Sequence, residues 1–339
     1  MFWVPLEGGR YDPELLTPWF ALPEFLGMAV NDSVRKCVLF LGTKEKGKFR
    51  PRATAFVASI REGDFGWRYL VTAEHVISGL TTKGHEILVR SNLKNGTVAE
   101  NKLSNGRWWF HPDNERHPTD VAVIPIDFSD DEDFLAIPLN LDTSMAATQL
   151  ALSAGPVTVG HEVYITGLFR SHYGQQQNVP IVRIGNIAMM RGEMVYTKYC
   201  GYTDAYLIEA RSIGGLSGSP VFLNIPFITR SNSLGFPIQN ERTHLLGLMH
   251  GHFDVQNLVE DIVTDADSDD NGTGTGINTG IGVVIPVEKI SETLDHPDLR
   301  EMRKESAQEM RKKQGATPDL DASDAPGSRG TSNSRCIPS

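Results

Sequence analysis

The chain has 339 residues, 40% hydrophobic and 22% charged, which suffices for one two-lobed unit of about 200–250 residues plus extensions. A net charge of −10 argues against binding nucleic acid or an anionic membrane through the bulk field. Cys37, Cys200 and Cys336 are odd in number and widely spaced, unlike a disulfide framework, which favours a reducing, cytoplasmic location.

Residues 1–33 form an extension punctuated by proline and aromatic residues. Trp3, Phe20 and Phe25 are costly to expose, so the extension is expected to pack on the body of the protein. It carries neither the basic region nor the continuous apolar run of a secretory signal, and no membrane anchor is read there. Short strands and turns then define a first β-lobe over 34–145. Within it, Lys44–Arg52 is a basic cluster between two strand-like runs and reads as a solvated hairpin loop. The apolar strand Tyr69–Thr72 delivers His75 into a turn or helix that begins at Ala73. Further on, Asp120 enters a strand, Val121–Ile126, whose β-branched residues would bury it.

A second β-lobe is expected over 146–295, ending in a short helix at Glu288–Leu294. It contains Gly215-Leu216-Ser217-Gly218-Ser219-Pro220, a serine between close-set glycines. Its acidic loop 265–272 includes Asp267-Ser268-Asp269-Asp270-Asn271-Gly272, the first half of a calcium-loop pattern. The twelfth position is Asn278 where a bidentate glutamate would complete it, so no metal is expected. Residues 296–314 read as a charged, solvent-facing helix. The tail 315–339, rich in Gly, Ser, Pro and Asp, lacks the apolar surface to offset its ordering entropy and is predicted to be disordered.

A serine hydroxyl is a poor nucleophile at neutral pH and needs an adjacent base, itself held in one tautomer by a third group. Ser217, His75 and Asp120 are residues of the right kinds. Each alone has another reading: a tight glycine turn, a packed histidine, or an aspartate capping a turn or helix.

Together these segments resemble the trypsin-like (chymotrypsin-fold) serine peptidases, and most closely their HtrA-type branch without its PDZ domain. Ala53–Ser59, Val159–Gly167, Leu246–His250 and Gly280–Val287 match further strands of that branch, and the likeness spans roughly 34–295. The resemblance implies an all-β fold of two six-stranded antiparallel β-barrels with a short C-terminal helix. It implies catalytic His75, Asp120 and Ser217, and an oxyanion hole from the amides of Gly215 and Ser217. It also places Arg211, six residues before the nucleophile, and His250 and His252 at the substrate-binding pocket, which would favour an acidic side chain; the alternative is an Arg211 in a surface ion pair and a pocket for a small apolar side chain. Leu216 stands where secreted trypsins carry the aspartate that pairs with a new N-terminus, so activity is expected without N-terminal processing.

The implied activity is that of a serine endopeptidase with a protein or peptide substrate, no cofactor, no nucleic acid and no membrane. Without a secretion signal or a PDZ module, a dedicated intracellular protein partner is expected, as in a microbial stress or antiviral pathway. The alternative is a catalytically silent fold that binds peptides or regulates a partner.

Overall fold

The computed structural model describes residues 33–103, 106–139, 146–148, 157–210, 215–231, 237–254 and 278–315. The N-terminal extension, the acidic loop 265–272, the tail beyond 315, Arg211 and Cys336 lie outside the described residues.

The first lobe opens with a short helix α1 (Ser33–Lys36) and three consecutive antiparallel strands, β1 (Val38–Glu45), β2 (Lys48–Glu62) and β3 (Phe65–Thr72). Their buried β-branched and aromatic residues, among them Val38, Phe40, Phe56, Val57 and Val71, form its core with Leu70. Pro51 sits in β2 opposite Gly42, where the register with β1 slips, so its missing N–H disrupts no regular ladder. Helix α2 (Glu74–Thr82) follows β3 directly. The lobe continues through β4 (Leu88–Asn92), β5 (Val98–Lys102), β6 (Trp109–Phe110), β7 (Ala122–Pro125) and β8 (Ile137–Pro138).

Hydrogen bonding orders these strands β5-β4-β1-β2-β3-β7-β6, with β8 pairing parallel to β2. The expected closed six-stranded barrel is therefore not seen in this lobe; among the described residues it is an eight-stranded open sheet. Its two ends explain this. β5 is a largely solvated polar strand, VAENK, and β6 has only two residues, so the ladder bonds needed for closure are few.

The second lobe does close. Strands β9 (Glu162–Gly167), β10 (Ile181–Met189), β13 (Tyr206–Glu209), β14 (Pro220–Ser231), β15 (Pro237–Asp254) and β16 (Asn278–Pro286) form one barrel in the order β10-β13-β16-β15-β14-β9. Val163, Ile165, Ile187, Ile208, Val221, Leu246 and Val284 fill it. A separate hairpin, β11 (Met194–Thr197) and β12 (Gly201–Asp204), projects between β10 and β13.

Two helices end the described chain, α3 (Val287–Leu294) and α4 (Pro297–Gly315). α4 does not face solvent all round, as its charged sequence suggests. Leu299, Arg303 and Met310 are buried at helical spacing against the first lobe. The apolar stripe is narrow and includes a charged residue, which hides it from a composition-based reading. Among the described residues no helix is long and apolar enough to cross a membrane.

Candidate active site

α2 starts without a local side-chain cap, since its N-cap residue is Ala73. The first amides of a helix need acceptors, and a carboxylate there also gains from the helix dipole. Asp120, from the loop ahead of β7, supplies both functions. Its Oδ1 accepts a hydrogen bond from the backbone N–H of His75 (2.8 Å), and its Oδ2 lies 2.7 Å from His75 Nδ1. Burial alone would raise the pKa of Asp120, but the charges and hydrogen bonds of His75 and His250 hold it far below the carboxylate range. An ionised carboxylate can only accept, so His75 Nδ1 carries the proton. In the neutral ring, Nε2 is then the basic nitrogen.

Asn114 joins the two loops that present this pair. Its side-chain N–H donates to Glu74 Oε2 (2.8 Å), and its oxygen accepts from the amide of Thr119 (2.6 Å). The residues just before His75 and just before Asp120 are thus held by one amide group. Glu74 is half-buried, and burial, reinforced by the charge of Asp120, pushes its pKa up to about 7 against the pull of its hydrogen bonds to Asn114 and Tyr199. Tyr199, at the tip of the β11–β12 hairpin, sets its ring edge-on to His75 at 5.6 Å. Its hydroxyl is hydrogen-bonded with that of Ser78 (3.3 Å).

Ser217 comes from the second lobe, on the turn that precedes β14. Gly215 and Gly218 on either side of it have φ of +106° and +77°, the region that favours glycine. A Cβ at Gly218 would also fall 2.3 Å from Thr72 Oγ1 and 2.4 Å from the Thr54 carbonyl, so the turn lies directly against β2 and β3. Thr54 binds this turn twice. Its Oγ1 donates to the Gly215 carbonyl (2.8 Å), and its amide donates to the Ser217 carbonyl (3.1 Å). These bonds bracket the Leu216–Ser217 peptide, whose N–H is one of the two expected oxyanion donors. Leu216 is buried in the barrel core. Ser217 is itself buried, and its Oγ donates to the carbonyl of His250 (3.2 Å).

The structure therefore brings His75, Asp120, Gly215, Ser217 and His250 to the seam of the lobes. Arg211 lies outside the described residues. His252 is buried on β15, two residues beyond His250. His250, expected to line a substrate pocket beside His252, instead points its ring at Asp120, with Nδ1 2.5 Å from Oδ2. The reason is a register slip between Met249 and Gly251 against β16, which breaks the alternation that would give both histidines one face.

Sequence reasoning missed Thr54, Asn114, Glu74 and Tyr199. Thr54 left a faint signal as a hydroxyl inside an apolar strand; Asn114 left none. The ligand-type atoms of His75, Asp120 and His250 lie within 4.8 Å of one another. Ligands around a tetrahedral zinc stand roughly 3.3 Å apart, given metal–ligand distances of about 2.0–2.1 Å. The 2.7 and 2.5 Å separations here are those of hydrogen bonds. Cys37 and Cys200 are free and buried, and burial raises both thiols well above their usual range.

No family model matches the chain, and no curated protein matches it. Solved protease structures are similar to it. Deg5 is 14% identical with a TM-score of 0.44, over 85% of this chain and 95% of that one. The MamO protease domain from Magnetospirillum magneticum, in its apo form, is 15% identical with a TM-score of 0.41, over 77% and 97%. The HtrA-type protease AlgW with a decapeptide is 16% identical with a TM-score of 0.42, over 78% and 66%.

Proposed function

We propose that this chain is a trypsin-like serine endopeptidase that cleaves a protein or peptide substrate through an acyl-enzyme. The observation that carries this reading is the double hold of Asp120 on His75, at the seam where the Ser217 turn packs on Thr54 and Thr72. A neutral His75 with its proton on Nδ1 offers Nε2 as the base. Ser217 Oγ, turning from the His250 carbonyl toward that nitrogen, gives up its proton as it attacks the substrate carbonyl carbon. The electron pair displaced onto the carbonyl oxygen is met by the amides of Gly215 and Ser217. Loss of one such donor costs about 3 kcal/mol of transition-state stabilisation. His75 then passes its proton to the departing amine, and water resolves the ester by the reverse route.

Arg211 and His252 are assigned to the pocket for an acidic side chain before the scissile bond. A dedicated intracellular protein partner, met in the cytoplasm, remains part of this reading.

A second reading is a silent fold that only binds peptides. It is favoured by the Ser217 hydroxyl, which in this structure bonds to a backbone carbonyl. Apo active sites often tighten only when substrate binds, which keeps the first reading ahead. Fluorophosphonate labelling decides between them. Wild type is expected to form a covalent adduct on Ser217, and Asp120→Asn to label about a thousandfold or more slowly while staying folded. An intact wild-type chain that forms no adduct on Ser217 favours the silent fold.

A further inference from the structure

His250 touches every member of the candidate triad. Its Nδ1 shares Asp120 Oδ2 with His75, at 2.5 Å against 2.7 Å. Its ring meets that of His75 edge-on, with centroids 5.4 Å apart and planes at 77°. Its carbonyl accepts the Ser217 hydroxyl at 3.2 Å. His250 is 2% exposed, so these contacts are made away from bulk water.

The backbone is built for this. Met249 pairs with Val284 and Gly251 with Val283, so His250 is the extra residue of a bulge in β15. Bulges turn a side chain out of strand alternation, and this one aims an imidazole across the seam at a carboxylate of the other lobe.

We propose that His250 is a positioning residue that acts through Asp120, fixing the carboxylate and sharing its charge with His75. A carboxylate oxygen can accept two hydrogen bonds, and an anionic Asp120 requires a proton on each Nδ1. Whatever charge the oxygen gives to His250 it withholds from His75. The donor on β15 therefore lowers the proton affinity of the base, and keeps Asp120 in place as that base gains and loses its proton. Among the described residues, Glu74 on α2 and Tyr199 at the hairpin tip also face His75, and Cys200 beside Tyr199 sets its thiol against the Asp120 backbone. An ionised Glu74 would raise the proton affinity of His75, so it must be removed from the comparison.

The catalytic part of this inference rests on the proposed peptidase reading; the electrostatic part does not. In the full-length chain carrying Glu74→Gln and histidine labelled with nitrogen-15, NMR gives the pH midpoint of His75 directly. His250→Leu removes the donor. His250→Asn keeps an N–H at nearly the position of Nδ1. The leucine variant is expected to raise the His75 midpoint by about half a unit or more and to slow fluorophosphonate acylation about tenfold, with asparagine restoring both. A purely structural role would leave the midpoint unmoved.

The proposal is overturned if folded His250→Leu keeps the midpoint of its parent, or if His250→Asn fails to hold it. Should the leucine variant not fold, asparagine decides alone: a parental midpoint supports the proposal and a displaced one overturns it. A wild-type chain that never acylates, yet shows the midpoint shift, refutes the peptidase reading and leaves the role of His250 at Asp120 intact.

Discussion

Thr54 donates its hydroxyl hydrogen to the carbonyl of Gly215 across 2.8 Å, tying the first lobe to the turn that carries Ser217. The same oxygen accepts from the amide of Leu168 at 2.9 Å. One buried hydroxyl thus serves two buried backbone groups of the second lobe.

Thr54→Val keeps the volume and the β-branched shape but removes both bonds. The Gly215 carbonyl and the Leu168 amide would be left buried with the partner gone, at a cost of about 1–3 kcal/mol. Chemical denaturation should show that loss. Fluorophosphonate labelling should fall more steeply than the folded fraction does, because the turn itself loses its anchor. A variant with unchanged labelling would mean that the turn holds its shape without Thr54.

Gly218→Ala should be more damaging. The substitution combines a left-handed φ of +77° with a Cβ 2.3 Å from Thr72 Oγ1 and 2.4 Å from a backbone oxygen. Neither β2 nor β3 can yield cheaply, so the turn must move away from the first lobe. Loss of labelling with retained β-sheet circular dichroism is the expected result, with stability lower by about 2 kcal/mol or more. Gly215→Ala carries the same kind of backbone strain, at φ +106°, but its Cβ would meet only side-chain carbons of Leu168 and Arg170 at 3.1–3.2 Å, a softer obstacle than a backbone oxygen.

How much of this was legible in the sequence depends on the range of each interaction. His75 and Ser217 are announced by their immediate neighbours, an apolar strand running into a turn and a pair of glycines, because local backbone shape is what presents them. Asp120 is legible only as an acid entering a β-branched strand. Thr54 and Asn114 act across the fold on residues remote in the chain, and no periodicity marks them. Alternation along β15 groups His250 with His252, and the bulge between Met249 and Gly251 undoes that grouping. The open first sheet has the same kind of cause. Strand-like runs can be counted along the chain, but whether the outermost two meet is decided by the length of β6 and the solvation of β5.

Glu74 gives a pH signature. Its folded pKa, about 7, stands above its ordinary value of 4.5 because the half-buried carboxyl loses hydration and faces Asp120. A carboxyl raised on folding binds its proton more tightly in the native state. Its contribution to stability is therefore full below pH 4.5 and is lost as pH rises through about 7. Glu74→Gln removes that titration. The difference in thermal midpoint between variant and wild type should move in the variant's favour between pH 5 and pH 8, by an amount reduced by the solvent exposure of the group. Parallel midpoints across that range would show that Glu74 is ionised in the folded protein at ordinary carboxylate pH.

Arg303 tests what holds α4 to the body. Its side chain is 1% exposed and donates to Glu62 Oε1 (2.6 Å), to the Tyr69 hydroxyl (3.0 Å), to the Leu294 carbonyl (2.8 Å) and to Asp295 Oδ1 (3.4 Å). Arg303→Met retains most of the apolar stem while removing all four bonds. Breaking a fully buried ion pair costs about 3–5 kcal/mol. Glu62 and Asp295, however, are each about half exposed and can return to water, so the loss should stay nearer 1–3 kcal/mol. Arg303→Ala should cost more, because the cavity left beside Tyr69 adds to the lost bonds. Both values are read from denaturant midpoints at constant slope. Since the bonds of Arg303 among the described residues run to Glu62, Tyr69, Leu294 and Asp295 and none to the Ser217 turn, labelling per folded molecule should be unchanged in both variants. A fall in labelling per folded molecule would show instead that the C-terminal helix shapes the seam between the lobes.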